Sequence, residues 1–246
     1  MIRSLKTIIL VFIFLAFNKS GFSQIFPSLA LAGGPSAGWF FNPVKDLNNE
    51  LKLAGFPEFS ENGYFTLGGG GFIDLPTGKN FLRIGGFGNG FTTKQEKKYG
   101  DTLTKAANYS LGLGGLSFEY VKTFGNIFDI HIGAQFATGK LILELYQYGS
   151  PYGNYGTIFG ELQSNGSSTN LSRVFTSRFY SAQPQLGIGL LLKKFIYLKL
   201  DAGYQLAGMG SWRVDNDVEV KNFPKDITSK GFSINLGLNF GLFIRD

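Results

Sequence analysis

His131 is the only histidine of the chain, and Asp129 precedes it by two residues in a segment of alternating apolar and polar residues. Side chains two apart on a strand point to the same face, so we expect the imidazole and the carboxylate side by side. With Ser117 or Ser233 as nucleophile, this pair would begin a Ser-His-Asp arrangement for hydrolysis. Nothing in the sequence places a nucleophile or an oxyanion donor beside His131, and we therefore predict no catalytic residues and no enzyme.

Metal and cofactor chemistry is not expected either. With one histidine and no cysteine, only carboxylates remain to complete a metal site. The glycine run from Gly68 to Gly71 lacks the lysine and the serine or threonine that a phosphate-binding loop needs at fixed offsets. Packing of glycines in a narrow, curved sheet explains the run as well. We predict no metal, no cofactor and no cofactor-binding residue.

Charged residues on the polar faces of several alternating segments are predicted to meet in the interior of the fold. The predicted cluster consists of Asp74, Arg83, Glu119, Asp129, His131, Lys199 and Asp201. Arg83 and Glu119 fall at matching depth on neighbouring segments and are expected to form a cross-strand pair. Unpaired charge in a narrow interior is costly, which favours a structural network. A path for ions or protons is the alternative.

The alternation that positions these residues is clearest at the C-terminal end, from Gly231 to Asp246. Every second residue from Phe232 to Ile244 is apolar, and Ser, Asn or Gly occupies each alternate position from 233 to 241. This length exceeds a mean strand of about 5 to 6 residues and suffices for the about 9 to 11 that a tilted strand needs to cross a membrane. The segment is predicted to be a membrane-spanning strand with an apolar and a polar face.

Eight such segments follow one another, joined by alternately long and short links. The third segment is expected to end near Thr93 and the fourth to begin near Tyr109, which leaves a long link between them. An even number of strands with long links at one end and short turns at the other is typical of bacterial membrane barrels. A soluble ligand-binding barrel would carry charge outside, whereas only 16% of this chain is charged.

The first long link is predicted to contain one short helix. Asn42 is expected to cap it, with Pro43 at the first helical position and with Gly55 and Pro57 ending it. We expect this amphipathic helix to fold over the mouth of the barrel, and a partner-binding helix is the alternative.

Irregular positions and aromatic residues complete the predicted pattern. Pro35 is expected to cause a bulge or a local distortion. The apolar residues change parity at Gly114 and Gly115, which we interpret as a bulge, and again beyond Gly139. Aromatic residues near strand ends are predicted to form two girdles at the membrane interfaces: Trp39, Phe41, Tyr109, Tyr180 and Trp212 at one end, and Phe81, Tyr120, Phe128, Phe195 and Tyr197 at the other.

Residues 1–23 have the pattern of a secretory signal peptide, with Arg3 and Lys6 before a short apolar core. Residues 24–246 are predicted to form one barrel domain. The net charge of +6 includes three basic residues of the signal, so the remaining 20 basic and 17 acidic residues are nearly balanced. The densest basic run, Lys94 to Lys98, is interrupted by Glu96, and no nucleic-acid partner is expected.

The whole mature chain resembles the small outer-membrane barrels of the OmpA/OmpX type of Gram-negative bacteria, which are porin-like in architecture. Asn235, Gly237, Phe240 and Leu242 resemble the insertion signal of that class, although Leu242 replaces the usual aromatic residue and Phe243 to Asp246 extend past the usual terminus. The resemblance implies an eight-stranded antiparallel transmembrane β-barrel with one short helix in the first extracellular loop. It also implies location in the cell outer membrane, contact with outer-membrane lipid and lipopolysaccharide, recognition by periplasmic chaperones and the barrel-assembly machinery, and a monomer.

A fold of this kind does not fix a function. Length and sequence variety are concentrated in the links Asn42 to Asn62, Gly149 to Asn170 and Trp212 to Lys230. A rigid scaffold displays binding residues in such segments. We therefore expect a non-enzymatic barrel whose surface loops bind a partner or serve envelope structure, with a narrow channel for small solutes or a lipid-modifying enzyme as the alternatives.

Overall fold

A computed structural model of the protein describes residues 29–149 except 126, residues 156 and 160, and residues 170–244 except 225. The predicted signal peptide and most of the link from Gly149 to Asn170 lie outside the described residues. In the described part of the chain, no helix is long and apolar enough to cross a membrane.

Eight long strands form a closed antiparallel ring. They are β1 (Leu29–Phe41), β2 (Tyr64–Thr77), β3 (Asn80–Tyr99), β4 (Leu103–Phe124), β5 (Phe128–Gly149), β6 (Leu171–Lys193), β7 (Ile196–Met209) and β10 (Gly231–Ile244). Each pairs with the next, and β10 pairs with β1 to close the ring. The short strands β8 (Arg213–Val214) and β9 (Val218–Glu219) form a hairpin beside β6. The predicted eight-stranded antiparallel barrel is confirmed.

The outside of the ring is apolar. Large apolar side chains at every second position are exposed there, and together they form the outer belt, which includes Leu31, Leu67, Leu116, Phe118, Ile132, Phe136, Leu186, Ile188, Leu206, Leu236 and Phe240. A water-soluble monomer rarely exposes so large a continuous apolar surface. Lipid removes its cost, so the ring is a membrane-spanning barrel. Its turn end carries the three short turns, and its loop end carries three long links and the β3–β4 hairpin.

The faces of β4 and β5 do not change along their length, so the bulge predicted at Gly114 and Gly115 is wrong. The β3–β4 and β4–β5 ladders continue through these glycines in constant register. Odd-numbered residues of β4 face the interior throughout, and Leu111 and Tyr109 are buried there. The apolar residues change parity because the barrel interior itself becomes apolar toward the loop end. Leu141 and Leu143 of β5 repeat the change.

At Pro35 the structure has the second of the two predicted alternatives, and one further local prediction is corrected. At Pro35 the β1–β10 ladder is interrupted but resumes in the same register, so the proline causes a local distortion and no bulge. The expected long link between Thr93 and Tyr109 is a tall hairpin, because β3 continues to Tyr99 and β4 begins at Leu103.

The two predicted girdles are only partly formed. Trp39, Phe41, Tyr120, Tyr180 and Phe195 are exposed on the outside. Four aromatic residues predicted there are buried instead: Phe81, Tyr109, Tyr197 and Trp212. The two tyrosines and Phe81 are odd-numbered residues on strands whose odd positions face inward. Trp212 is buried among apolar residues at the loop end of the barrel.

Helix α1 (Lys45–Leu53) lies between β1 and β2. Leu47 and Leu51 are buried, whereas Leu53 is 84% exposed. The predicted cap is wrong: the helix has no side-chain cap. Instead, the Asn42 side chain donates to the carbonyl oxygens of Thr228 and Lys230 at 2.9 and 2.8 Å, which joins the first long link to the last.

Candidate functional site

The barrel interior has three layers, a charged layer at the turn end, a polar cavity and an apolar core at the loop end. All seven residues of the predicted cluster lie in the charged layer: Asp74, Arg83, Glu119, Asp129, His131, Lys199 and Asp201. They come from β2, β3, β4, β5 and β7, whose alternation directs each side chain inward.

Arg83 is the centre of the charged layer, and its side chain is fully buried. Its Nε and Nη2 donate to the two carboxylate oxygens of Asp74 at 2.6 and 2.9 Å. Its Nη1 donates to the hydroxyl of Tyr197 at 2.9 Å and lies 3.6 Å from Glu119 Oε2. The register places Arg83 directly opposite both Asp74 and Glu119. The guanidinium therefore joins three strands at one level of the barrel.

Lys199 links this group to a second one across the lumen. Its Nζ lies 2.7 Å from Glu119 Oε1 and 3.1 Å from Asp201 Oδ1. Gln185 Nε2 also donates to Glu119 Oε1, at 2.8 Å. Because β7 and β4 are not neighbours in the ring, the Lys199–Glu119 contact holds opposite walls together.

His131 lies between two carboxylates. Its Nε2 is 2.7 Å from Asp201 Oδ1 and its Nδ1 is 3.4 Å from Asp129 Oδ1. An ionised carboxylate only accepts hydrogen bonds, so both contacts form together when the ring carries both protons. The layer then holds four carboxylates against three cations. Donation from the Tyr197 hydroxyl to Asp129 Oδ1, at 2.8 Å, stabilises the excess negative charge.

These contacts occupy the ring nitrogens of His131 that a hydrolytic mechanism would need. Both ring nitrogens of His131 are engaged by carboxylates, so neither is free to take a proton from a hydroxyl. In the described part of the chain no hydrogen bond joins Ser117 or Ser233 to the imidazole, and Ser233 Oγ accepts a hydrogen bond from Gln183.

Tyr197 also belongs to the charged layer, although its position in the sequence predicted that it lies in an aromatic girdle. It is fully buried and packs in the turn-end plug, a cluster of Ala30, Ala32, Phe72, Tyr197 and Phe243. The Arg83 Cζ lies 4.1 Å from the centroid of the Phe72 ring. Tyr197 lies between the outward-facing Ile196 and Leu198 on its strand. This odd position is the signal that could have predicted that Tyr197 faces the interior. Gly189 makes room for it, because a β-carbon there would collide with the tyrosine hydroxyl.

Above the charged layer lies a polar cavity of about 110 Å³. Its lining includes Asn89, Ser117, Gln135, Gln183, Asn235 and Asn239. The cavity has room for several water molecules, since one water needs about 10–15 Å³ by this measure.

The loop end of the interior is filled by an apolar core. This loop-end core comprises Phe40, Val44, Leu47, Leu51, Phe56, Phe59, Tyr64, Phe91, Tyr109, Leu111, Leu141, Leu143, Phe179, Trp212 and Ile227, with Ala107. Tyr64 stacks on Phe91 with ring centroids 4.4 Å apart. Asn48 of α1 holds the following segment, donating to the Phe59 carbonyl at 2.9 Å and accepting from its amide at 2.8 Å. The helix thus closes the barrel mouth, as its amphipathic pattern predicted.

The residues of the predicted insertion signal lie together on β10. Asn235 faces the lumen, where its Oδ1 accepts a hydrogen bond from Asn89 Nδ2 at 3.1 Å. Phe240 and Leu242 are exposed on the outer belt, and Gly237 lines the cavity. Phe243, in the C-terminal extension, is buried in the turn-end plug.

The closed ring, its apolar outside and the charged layer within it define a small eight-stranded transmembrane β-barrel, which is the architecture of small outer-membrane barrels. No protein-family model and no curated protein matches the chain.

Among solved structures, the chain is similar to Ail, the attachment invasion locus protein of Yersinia pestis, at 11% identity over 88% of this chain and 97% of that chain. The TM-score is 0.33, and 0.32 for Ail in complex with the heparin analogue sucrose octasulfate. It is also similar to OmpT, an outer membrane protein of Vibrio cholerae, at 12% identity over 74% of this chain and 62% of that chain, with a TM-score of 0.17.

Proposed function

We propose that this chain is a non-conducting, non-enzymatic outer-membrane barrel that presents a binding surface outside the cell. The observation that carries the proposal is the filling of both ends of its interior. The loop-end core is apolar, and an apolar filling excludes hydrated ions. The turn-end plug and the fully buried Arg83 fill the opposite end. The polar cavity between them is the feature that favours a narrow channel, the second candidate.

The loop-end hairpins supply the surface. At about 3.3 Å per residue and a tilt of about 40°, the 20 residues of β3 rise about 50 Å. About 25 Å of this lies in the apolar band, so the β3–β4 hairpin stands about 25 Å above that band. Tyr99 donates to the Gly55 carbonyl at 2.6 Å and Lys105 to the Ala54 carbonyl at 2.7 Å. These bonds fix the hairpin to the end of α1, and a rigid surface binds a partner with less loss of entropy.

The first test concerns location. We expect the protein to fractionate with outer membranes and to migrate faster on gels without heating, because a closed barrel resists detergent until it is heated. The measurement is fractionation followed by electrophoresis of heated and unheated samples. Recovery as a soluble periplasmic protein with a single migration would contradict the proposal.

The second test concerns transport. We expect the purified protein to give no unitary currents in planar bilayers, since both ends of its interior are filled. Stable unitary currents that disappear in the Arg83→Gln, Lys199→Gln double variant would replace the proposal with a channel. Lys94→Gln is the matched control, because Lys94 lies on the exposed hairpin and its change leaves the lumen intact. Samples that show heat-dependent migration establish that the barrels are folded.

A further inference from the structure

Two basic residues lie directly opposite each other on the outer face of the barrel. Lys140 on β5 pairs with Arg178 on β6, and both are exposed. Like charges at directly opposite positions destabilise a sheet. Among the described residues, neither side chain has a hydrogen bond or an ion pair. The pair therefore costs stability without any compensating contact in the described fold.

The same two residues line a cleft of about 510 Å³ below the β8–β9 hairpin. The other charged residues that line the cleft are Arg213, Asp215 and Asp217. Asp217 forms an ion pair with Arg213, and Asp215 forms one with Arg173 at 3.2 Å. The carboxylates of the cleft are thus neutralised. Two positive charges remain, and cationic side chains form strong charge-assisted hydrogen bonds with phosphoryl oxygens.

The height of the pair identifies where such a group would come from. Lys140 lies 12 residues beyond Phe128, the first residue of β5, which corresponds to about 40 Å along the strand and about 30 Å along the barrel axis. The apolar band is about 25 Å tall. Tyr180, two residues from Arg178 on the same face, is 77% exposed, as expected for an interface aromatic. The cations therefore lie at headgroup level, just outside the band.

We propose that Lys140 and Arg178 bind a phosphoryl group of a glycolipid in the outer leaflet. The assignment of the phosphoryl group to a lipid rests on the outer-membrane location proposed above. Binding is measured on purified, folded barrel, so its failure is distinguishable from a failure of location or of the conductance test.

The experiment titrates folded barrel in nonionic detergent with diphosphoryl lipid A and measures the bound fraction by native mass spectrometry. We expect the Lys140→Gln, Arg178→Gln double variant to bind at least about tenfold more weakly, because two charge-assisted contacts are lost. The Lys94→Gln, Lys98→Gln variant removes the same charge from the tall hairpin and is expected to bind as wild type does. We expect the wild-type protein to bind dephosphorylated lipid A no more tightly than the double variant binds diphosphoryl lipid A.

Equal binding by the double variant and wild type would overturn the proposal. Binding of inorganic phosphate as tight as that of the lipid would overturn the lipid source and leave a free anion as the ligand. A second readout separates binding from structure: without lipid, the double variant is expected to unfold at a higher denaturant concentration, because the repulsion is relieved. A purely structural role predicts the opposite, a lower midpoint together with unchanged lipid binding.

Discussion

Replacing Arg83 with alanine is expected to lower the free energy of unfolding by about 3–5 kcal/mol, the cost of removing one partner from a buried ion pair. Asp74, Glu119, Asp129 and Asp201 would remain in an interior that water reaches poorly, with Lys199 and His131 as the other basic residues of the layer. Denaturant unfolding of the barrel in detergent measures the change, followed by the fluorescence of its two tryptophans.

Two variants calibrate this result. Tyr197→Phe removes one hydroxyl that accepts from Arg83 and donates to Asp129, and about 1–3 kcal/mol is expected. Lys79→Ala removes an exposed charge from the β2–β3 turn, and at most about 0.5 kcal/mol is expected. If Arg83→Ala costs no more than Lys79→Ala, the charged layer does not stabilise the fold.

The second large effect is expected on the outer belt. Leu238 faces outward near the middle of β10, opposite Leu198 of β7. Replacing it with arginine is expected to cost about 2–4 kcal/mol if the position meets lipid near the midplane. The measurement is denaturant unfolding in lipid vesicles.

The matched control is the same leucine-to-arginine substitution at a position that is exposed to water. Leu53 at the end of α1 is 84% exposed and lies at the loop end, so Leu53→Arg is expected to change stability by at most about 0.5 kcal/mol. Equal stability of Leu238→Arg and wild type would mean that the faces of β10 are reversed. The neighbouring Asn239 lines the cavity, and Asn239→Arg should act through steric conflict inside the barrel.

Much of this barrel could be predicted from the sequence because strand alternation is a local property. A period of two fixes which side chains share a face, and the lengths of the links fix which strands are neighbours. That Arg83, Glu119 and His131 lie on the polar faces of their strands follows from that period. Their depth in the barrel follows from the number of residues between each of them and a short turn.

The contacts across the lumen depended on the closed ring. Lys199 meets Glu119, and His131 meets Asp201, across strands that are not neighbours. Such contacts depend on the diameter and stagger of the ring, which no local pattern encodes.

The change of apolar parity in β4 was misinterpreted for the same reason. Alternation identifies an apolar face but does not say whether lipid or a folded core lies against it. Only the tertiary structure, in which α1 brings its apolar face to the barrel mouth, decided that Tyr109, Leu111 and Leu141 point inward. Burial of a side chain is set by what packs against it, and for these residues the partners come from distant parts of the chain.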